Sequence, residues 1–200
     1  MLRGTWGTVA CIFLAGLLRT TAVAQQLPTQ PQRPPIAATG VDLHGKAVSP
    51  FDLAAGRVLV LIFVRSDCPI SNRYAPTINA LGANYAGKAV FVLVYPDKSE
   101  TAKNIEHHLR EYGYKITPLR DPQHQLVKLS NAEITPEVAV FNAKRELVYH
   151  GRIDNWYEDF GRARPAPTTH ELNDALVAAI AGSQGPAPQG AVGCYISDLQ

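Results

Sequence analysis

The sequence predicts an α/β fold in which a central mixed β-sheet is covered by helices on both of its faces. Two continuous apolar runs that are rich in β-branched residues, 58–64 and 89–94, are typical of central strands buried on both faces. Two shorter apolar runs, 138–141 and 147–149, flank a polar segment and predict a hairpin. Because helical patterns alternate with these strands, we expect helices to pack on both sides of the sheet.

Helices are predicted where apolar residues recur at helical spacing or where a capping residue begins a segment. The first helix covers 72–86, after the strand at 58–64. Ser99 or Thr101 caps a second helix, which ends at Gly113. The remaining predicted elements are a short helix at 122–129, a hairpin turn at 142–145, and a final helix that Thr168 or Thr169 caps and that runs to about Ala181.

The first 24 residues have the features of a secretory signal peptide. Arg3 precedes an uncharged apolar run at 9–18, and residues 22–24 (Ala-Val-Ala) fit the small-x-small cleavage pattern. The apolar run is shorter than the roughly 20 residues that span a bilayer. We therefore expect cleavage near Ala24 and export to the periplasm or the extracellular space, where disulfides form.

The rest of the chain divides by composition into a linker, one domain and a tail. A linker rich in Pro and Gln at 25–38 precedes a single domain at 39–181, and a flexible tail at 182–200 follows it. The domain is long enough to bury one hydrophobic core. The formal net charge of +2 gives no reason to expect nucleic acid as a partner.

The three cysteines become two when the signal peptide, which contains Cys11, is removed. Cys68 directly follows the first buried strand and precedes a proline that marks the start of a helix. A thiol at a helix N-terminus is favoured as thiolate by the helix dipole and by free N–H groups. Arg65 and Arg73 would tune the thiolate by adding positive potential, whereas Asp67 would oppose them.

Three segments of the domain carry a family resemblance. They are D-L-H-G-K-A-V at 42–48, F-V-R-S-D-C-P-I-S at 63–71 and I-T-P-E-V at 134–138. Through these segments, residues 38–181 resemble redoxin domains of the thioredoxin-like fold, a group that includes alkyl hydroperoxide reductase/thiol-specific antioxidant proteins and TlpA/ResA-like reductases. The resemblance implies that Thr135 and Pro136 form a cis-proline loop, which faces Cys68 and pairs with an extended substrate segment.

The active-site turn departs from two patterns of this group. Cys68-x-x-Ser71 stands in place of Cys-x-x-Cys, and Ser71 cannot resolve a mixed disulfide, although its hydroxyl can hydrogen-bond the thiolate. Counting back from Cys68 places Arg65 and Leu61 where peroxiredoxins have Thr or Ser and Pro. These two departures count against efficient peroxidase chemistry.

Cys194 is the second cysteine of the exported chain, and it lies in the Gly/Pro-rich tail. The stretch from Ala181 to Cys194 reaches up to about 43 Å when extended, whereas the radius of gyration of such a domain is about 16 Å. The tail is therefore long enough to reach Cys68. Three roles stay open for Cys194: it resolves a mixed disulfide on Cys68, it forms a static disulfide with Cys68, or it binds another protein or a metal.

Together with the signal-like first residues, the resemblance implies an exported thiol–disulfide oxidoreductase that acts on a protein or small-molecule disulfide through Cys68, with no cofactor. Two alternatives stay open: a peroxiredoxin-like antioxidant peroxidase that forms a sulfenic acid, and a redox-inert binding or copper-handling module. The stretches C-P-I-S-N-R-Y-A-P and A-V-G-C-Y-I are similar to a bacterial subgroup sometimes joined to cytochrome or copper monooxygenase domains, which implies a membrane or cytochrome redox partner. His107 and His108 are predicted to lie on an exposed helix face, whereas His124, His150 and His170 are scattered and have no partner at metal-binding spacing.

Overall fold

The structure is a computed structural model that describes Met1, residues 38–197 and Leu199. The predicted signal peptide after Met1, and the linker before residue 38, lie outside the described residues. The strands are β1 (Gly40–Val41), β2 (Ala47–Val48), β3 (Val58–Phe63), β4 (Ala89–Tyr95), β5 (Thr117–Arg120), β6 (Ile134–Thr135), β7 (Glu137–Phe141), β8 (Leu147–Gly151), β9 (Tyr157–Asp159), β10 (Arg162–Ala163) and β11 (Cys194–Tyr195). The helices are α1 (Pro50–Ala54), α2 (Pro69–Arg73), α3 (Ala75–Asn84), α4 (Ala102–Glu111), α5 (Gln125–Ser130) and α6 (Glu171–Ala181). In the described part of the chain, no helix is both long enough and apolar enough to cross a membrane.

Seven of these strands form one mixed sheet in the order β2-β1-β5-β4-β3-β7-β8. The central strand β3 pairs in parallel with β4 and antiparallel with β7, and β4 pairs in parallel with β5. The two strands predicted at the centre from their continuous apolar runs are therefore β3 and β4. The predicted hairpin is formed by β7 and β8, which are antiparallel.

Two apolar layers cover the two faces of the sheet, because successive side chains of a strand point to opposite faces. Val60 and Ile62 of β3 join the cluster that contains the buried residues of α2, α3 and α6. Leu59 and Leu61 join the cluster that contains those of α1 and α5. The predicted α/β class, a mixed sheet with helices on both faces, is confirmed.

The predicted single helix over 72–86 is wrong, because this region contains two helices that meet at Tyr74. The first, α2, already begins at Pro69. Pro76 then occupies the first turn of α3. Proline has no N–H to donate to the carbonyl four residues earlier, so it interrupts the helical hydrogen bonds at this position. The short α2 is therefore separate from α3, and its first turn lies shortly after the end of β3.

The predicted caps of the other two helices have different outcomes. The Thr101 hydroxyl accepts a hydrogen bond from the Asn104 N–H at 3.2 Å, and the predicted cap of α4 is confirmed. The cap predicted for α6 at Thr168 or Thr169 is wrong, since α6 is capped by the backbone of His170 without a side-chain bond. The N–H groups of both threonines donate instead to the side-chain oxygen of Asn155.

The chain returns to the domain after α6. Gln189 forms an isolated parallel β-bridge with Gly151 at the end of β8, and β11 pairs antiparallel with β6. The two-residue strands β6 and β11 are not predicted from the sequence, because alternation of apolar and polar side chains cannot be recognised over so short a segment. Their pairing brings the segment that carries Cys194 against the loop before Pro136.

Candidate active site

Cys68 lies at the N-cap of α2, in the turn that follows the central strand β3. Its backbone is extended, with φ −85° and ψ 110°. Pro69 occupies the first helical position, where its missing N–H costs no hydrogen bond. The side chain of Cys68 is completely buried. The sequence therefore places a thiol at the positive end of a short helix, as predicted.

The structure brings the two cysteines of the domain and its tail into contact. The Cys194 thiol donates to Cys68 Sγ at 2.8 Å across a sequence separation of 126 residues. Both thiols are free. Cys68 Sγ also lies 3.2 Å from the carbonyl oxygen of Thr135. The Thr135–Pro136 bond is cis, so the loop implied by the resemblance lies directly beside the sulfur pair.

The two thiols differ in their tendency to ionise. Burial raises the pKa of the Cys68 thiol, but the Cys194 thiol, followed by the hydroxyl and N–H of Ser71, lowers it more, so that the pKa of Cys68 lies below its ordinary value. Burial and the adjacent Cys68 sulfur raise the pKa of Cys194 to about 12. Cys68 is therefore the first of the pair to ionise, and Cys194 stays protonated beside it.

Ser71 occupies the position where a Cys-x-x-Cys protein has its second cysteine. It is completely buried, and its hydroxyl has no partner at full hydrogen-bonding geometry among the described residues. Its hydroxyl and its N–H nevertheless lie close enough to the Cys68 sulfur to lower the pKa of that thiol. Ser71 thus acts on Cys68 as a nearby dipole rather than through a formed hydrogen bond.

The charged residues predicted to tune the thiolate do not all reach it. The Arg65 guanidinium forms ion pairs with the carboxylates of Asp67 at 2.9 Å and Asp97 at 3.3 Å. These two negative charges offset its positive charge. Arg65 lowers the pKa of the tail cysteine, and Asp67 raises it. The Arg73 guanidinium lies instead against the hydroxyl of Tyr157 at 3.4 Å. Tuning of Cys68 by Arg73 stays a prediction.

Glu100 is a site residue that the sequence reasoning missed. It is 6% exposed, and its two carboxylate oxygens accept hydrogen bonds from the N–H of Ser66 at 2.8 Å and from the hydroxyl of Ser66 at 3.0 Å. The Asn72 amide donates to the carbonyl oxygen of Ser66 at 2.9 Å. Glu100 follows β4, and Cys68 follows the parallel strand β3. Because the carboxyl ends of neighbouring parallel strands meet at one edge of the sheet, the position of Glu100 in the sequence was a signal that it lies near Cys68.

His108 extends this polar network into the core, and its predicted exposure is wrong. Its side chain is almost completely buried, whereas that of His107 is 72% exposed. One ring nitrogen of His108 lies 2.8 Å from the Tyr95 hydroxyl, and the other lies 2.8 Å from the Asn72 side-chain oxygen. Burial lowers the pKa of His108. The ring therefore links the core to the turn that carries Cys68.

A groove of about 460 Å³ lies beside the tail, between Ile134, the loop at 159–160 and residues 191–195. The side chains of Phe160 and Tyr195 are 64% and 76% exposed. A larger groove of about 560 Å³ between α3 and residues 113–117 shares no residue with the cysteine pair. Among residues 38–197, no three His, Cys, Asp or Glu side chains are arranged to hold a metal ion.

Comparison with known proteins gives one family and a set of similar folds. The model of the Redoxin family matches residues 27–160. No curated protein matches the chain. An uncharacterized conserved protein from Geobacillus kaustophilus is 22% identical over 79% of this chain and 86% of its own, with a TM-score of 0.68. A hypothetical protein from Sinorhizobium meliloti is 23% identical over 79% and 88%, with a TM-score of 0.65. A secreted Mycobacterium tuberculosis disulfide oxidoreductase is 19% identical over 74% and 96%, with a TM-score of 0.50.

Proposed function

This chain belongs to the Redoxin family, and we propose that it is an exported thiol–disulfide oxidoreductase with Cys68 as its nucleophile and Cys194 as its resolving cysteine. The contact of 2.8 Å between the two sulfurs carries this proposal. The opposite directions of their pKa shifts support it, because the thiolate is the attacking species in thiol–disulfide exchange.

The reaction has two exchange steps. The Cys68 thiolate first attacks one sulfur of the substrate disulfide, which forms a mixed disulfide and expels the other substrate sulfur as a thiolate. Cys194 then attacks Cys68 Sγ, gives up its proton and releases the second substrate sulfur as a thiol. The substrate gains two electrons, and the protein is left with a Cys68–Cys194 disulfide. An external dithiol must reduce this disulfide before the next cycle.

The other predicted site residues support this chemistry in defined ways. Thr135 and Pro136 line the approach to the sulfur, and Ser71 stabilises the thiolate as a dipole. A redox-inert module would gain nothing from two free thiols in contact, so the geometry favours the enzyme. Export is supported by the signal-like pattern at 1–24 and by the similar fold of a secreted disulfide oxidoreductase.

Reduction of insulin by dithiothreitol, with the exported protein as catalyst, tests the proposal. We expect Cys68→Ser to abolish catalysis, because the raised pKa of Cys194 keeps the remaining thiol protonated. We expect Cys194→Ser to form the first mixed disulfide and to hold it. Undiminished insulin reduction by Cys68→Ser would contradict the proposal, and oxidation of Cys68 by stoichiometric peroxide much faster than by a disulfide would favour the peroxidase instead.

A further inference from the structure

The two sulfurs of the proposed Cys68–Cys194 disulfide differ in their accessibility. Cys68 is completely buried, whereas Cys194 is partly exposed. The two sulfurs lie 2.8 Å apart and need to approach by only about 0.8 Å to form a disulfide bond. So small a movement does not uncover Cys68, and Cys194 therefore stays the more accessible sulfur in the oxidised protein.

The tail is held to the domain on both sides of its cysteine. Before the cysteine, the N–H of Arg152 donates to the carbonyl oxygen of Gln189 at 3.0 Å. After it, the N–H of Ile196 donates to the carbonyl oxygen of Glu133 at 2.9 Å, and the side chain of Ile196 is 5% exposed. A disulfide adds a covalent bond between these two attachments. The tail can move aside for a substrate in the reduced protein, whereas in the oxidised protein it stays over the buried sulfur.

Cys194 lines the groove of about 460 Å³ beside the tail. Asp159 and Phe160, at the end of β9, also line this groove, whereas Cys68 does not. A groove of this volume is large enough to admit a thiol together with the groups that carry it. A thiol that enters the groove therefore meets the Cys194 sulfur first.

Departure of Cys68 as a thiolate is favoured by a residue that stays in place during attack on Cys194. Burial raises the pKa of the Cys68 thiol, whereas Cys194 and Ser71 lower it. Cys194 no longer contributes once its sulfur is bound to a reductant, but the hydroxyl and N–H of Ser71 remain close to the Cys68 sulfur. Attack on Cys68 would instead expel Cys194, whose pKa is raised to about 12, mainly by burial. Because a thiol of lower pKa leaves faster, Cys68 is the better leaving group.

We propose that the external dithiol that regenerates the protein enters the groove beside the tail and attacks Cys194 rather than Cys68. The inference rests on the proposed function, since it concerns the disulfide that this function leaves on the protein. The substrate and the reductant then react with different sulfurs. Cys68 passes electrons to the substrate, and Cys194 is the sulfur at which the dithiol returns them.

The regeneration takes two exchange steps. One thiolate of the external dithiol attacks the Cys194 sulfur, which forms a mixed disulfide, breaks the Cys68–Cys194 bond and expels Cys68 as a thiolate. The second thiol of the dithiol then loses its proton and attacks the first sulfur of the same molecule. This step closes a disulfide in the reductant and releases Cys194, which takes up a proton. The protein gains two electrons, and the dithiol is oxidised.

The position of a glutathione adduct identifies the sulfur that is attacked. Oxidised wild-type protein is incubated with reduced glutathione and with iodoacetamide, which alkylates each cysteine that exchange releases. The digested protein is then analysed by mass spectrometry without reduction. At high iodoacetamide concentration we expect at least about tenfold more glutathione on Cys194 than on Cys68, because exchange requires access to the attacked sulfur. In urea, which exposes both sulfurs, this ratio should fall toward one.

Two tryptophan substitutions in the tail test entry through the groove. Ala191→Trp places a large side chain among the residues that line the groove, and we expect the formation of the glutathione adduct to slow at least about threefold, since the approach to the attacked sulfur is obstructed. Ala187→Trp is the matched control, because Ala187 is exposed on the same tail and does not line the groove. It should react at the wild-type rate. Unchanged or faster reaction of Ala191→Trp would overturn entry through the groove.

The outcomes separate this inference from the function on which it rests. A ratio near one in the folded protein, an excess of glutathione on Cys68, or no adduct on either cysteine would overturn the inference. The proposed function has its own readout, which is the Cys68–Cys194 disulfide that forms when the reduced protein reacts with insulin. If this disulfide forms, only the inference fails, whereas its absence would show that the proposed function itself is wrong.

Discussion

Two segments meet at the Cys68 sulfur, and they are held in different ways. The turn before α2 is held by buried polar side chains, since Glu100 and Asn72 satisfy the backbone of Ser66 and His108 holds Asn72. The tail that delivers Cys194 is held by backbone pairing with β6. The turn therefore depends on a network within the core, whereas the tail depends on a reversible strand pairing.

This difference matches the two tasks that we propose for the sulfurs. A nucleophile reacts best when its surroundings are preorganised, whereas a resolving thiol has to give way to the substrate and then return. A loop with few buried contacts opens at a lower free energy than the core does. The following predictions test whether the turn is rigid and the tail releasable, in order of decreasing effect on stability.

Removing the carboxylate that holds the turn should have the largest effect. Glu100→Ala leaves the N–H and the hydroxyl of Ser66 without their charged acceptor, and we expect the free energy of unfolding to fall by about 3 kcal/mol. Urea unfolding measures this change, and Glu106→Ala on the exposed face of α4 is the control. Equal stability of the two variants would show that Glu100 does not hold the turn.

The neighbouring histidines give an internal comparison on one helix. His108→Ala removes the partner of the Tyr95 hydroxyl and of Asn72, and we expect a loss of about 2 kcal/mol in the free energy of unfolding. His107→Ala should change it by less than about 0.5 kcal/mol, because that side chain is exposed. Thermal or urea unfolding of both variants checks the difference, and a reversed order would contradict the structure.

Loosening the tail should change reactivity more than stability. Ile196 is 5% exposed and packs in the cluster on the α1 and α5 face. We expect Ile196→Ala to lower the free energy of unfolding by less than about 1 kcal/mol, because the tail can undock while the domain stays folded. Alkylation of Cys194 by iodoacetamide should become faster. Tyr195→Ala, at a side chain that is 76% exposed, should leave the alkylation rate unchanged.

The pKa shifts of the two thiols should appear in opposite directions as the pH changes. The pKa of Cys68 is lowered by folding, so the native state binds fewer protons than the unfolded state between that pKa and the ordinary cysteine range, and stability rises with pH there. The pKa of Cys194 is raised to about 12, so stability falls with pH between the ordinary range and that value.

A variant without the tail thiol isolates the first of these effects. Cys194→Ala removes the hydrogen bond that the Cys68 thiolate accepts, and we expect the midpoint of thiolate formation, followed by ultraviolet absorbance, to move to higher pH. An unchanged midpoint would show that the tail thiol does not stabilise the thiolate. Mutation of the exposed His107 provides a control that leaves both thiols in place.

The sequence predicts the positions of Cys68 and of the cis-proline loop better than it predicts their surroundings. Cys68 is recognisable because a cysteine after a buried strand and before a proline has few structural alternatives, and the order of Cys68 and Pro136 identifies the fold. Glu100 is indicated only by its position after β4, and His108 carries no signal in the sequence, since the roles of both depend on which strand and helix lie beside them. The docking of the tail depends on the backbone pairing of β11 with β6, which no pattern of side chains encodes.

The most direct test of the central claim is a peptide map of the wild-type protein after one turnover. Fully reduced protein is mixed with one equivalent of a peptide disulfide, quenched with acid, digested and analysed by mass spectrometry. We predict a disulfide that joins the peptides containing Cys68 and Cys194, with the substrate peptide released as a thiol. A substrate adduct that persists on Cys68 as long as it does in Cys194→Ser would contradict the account.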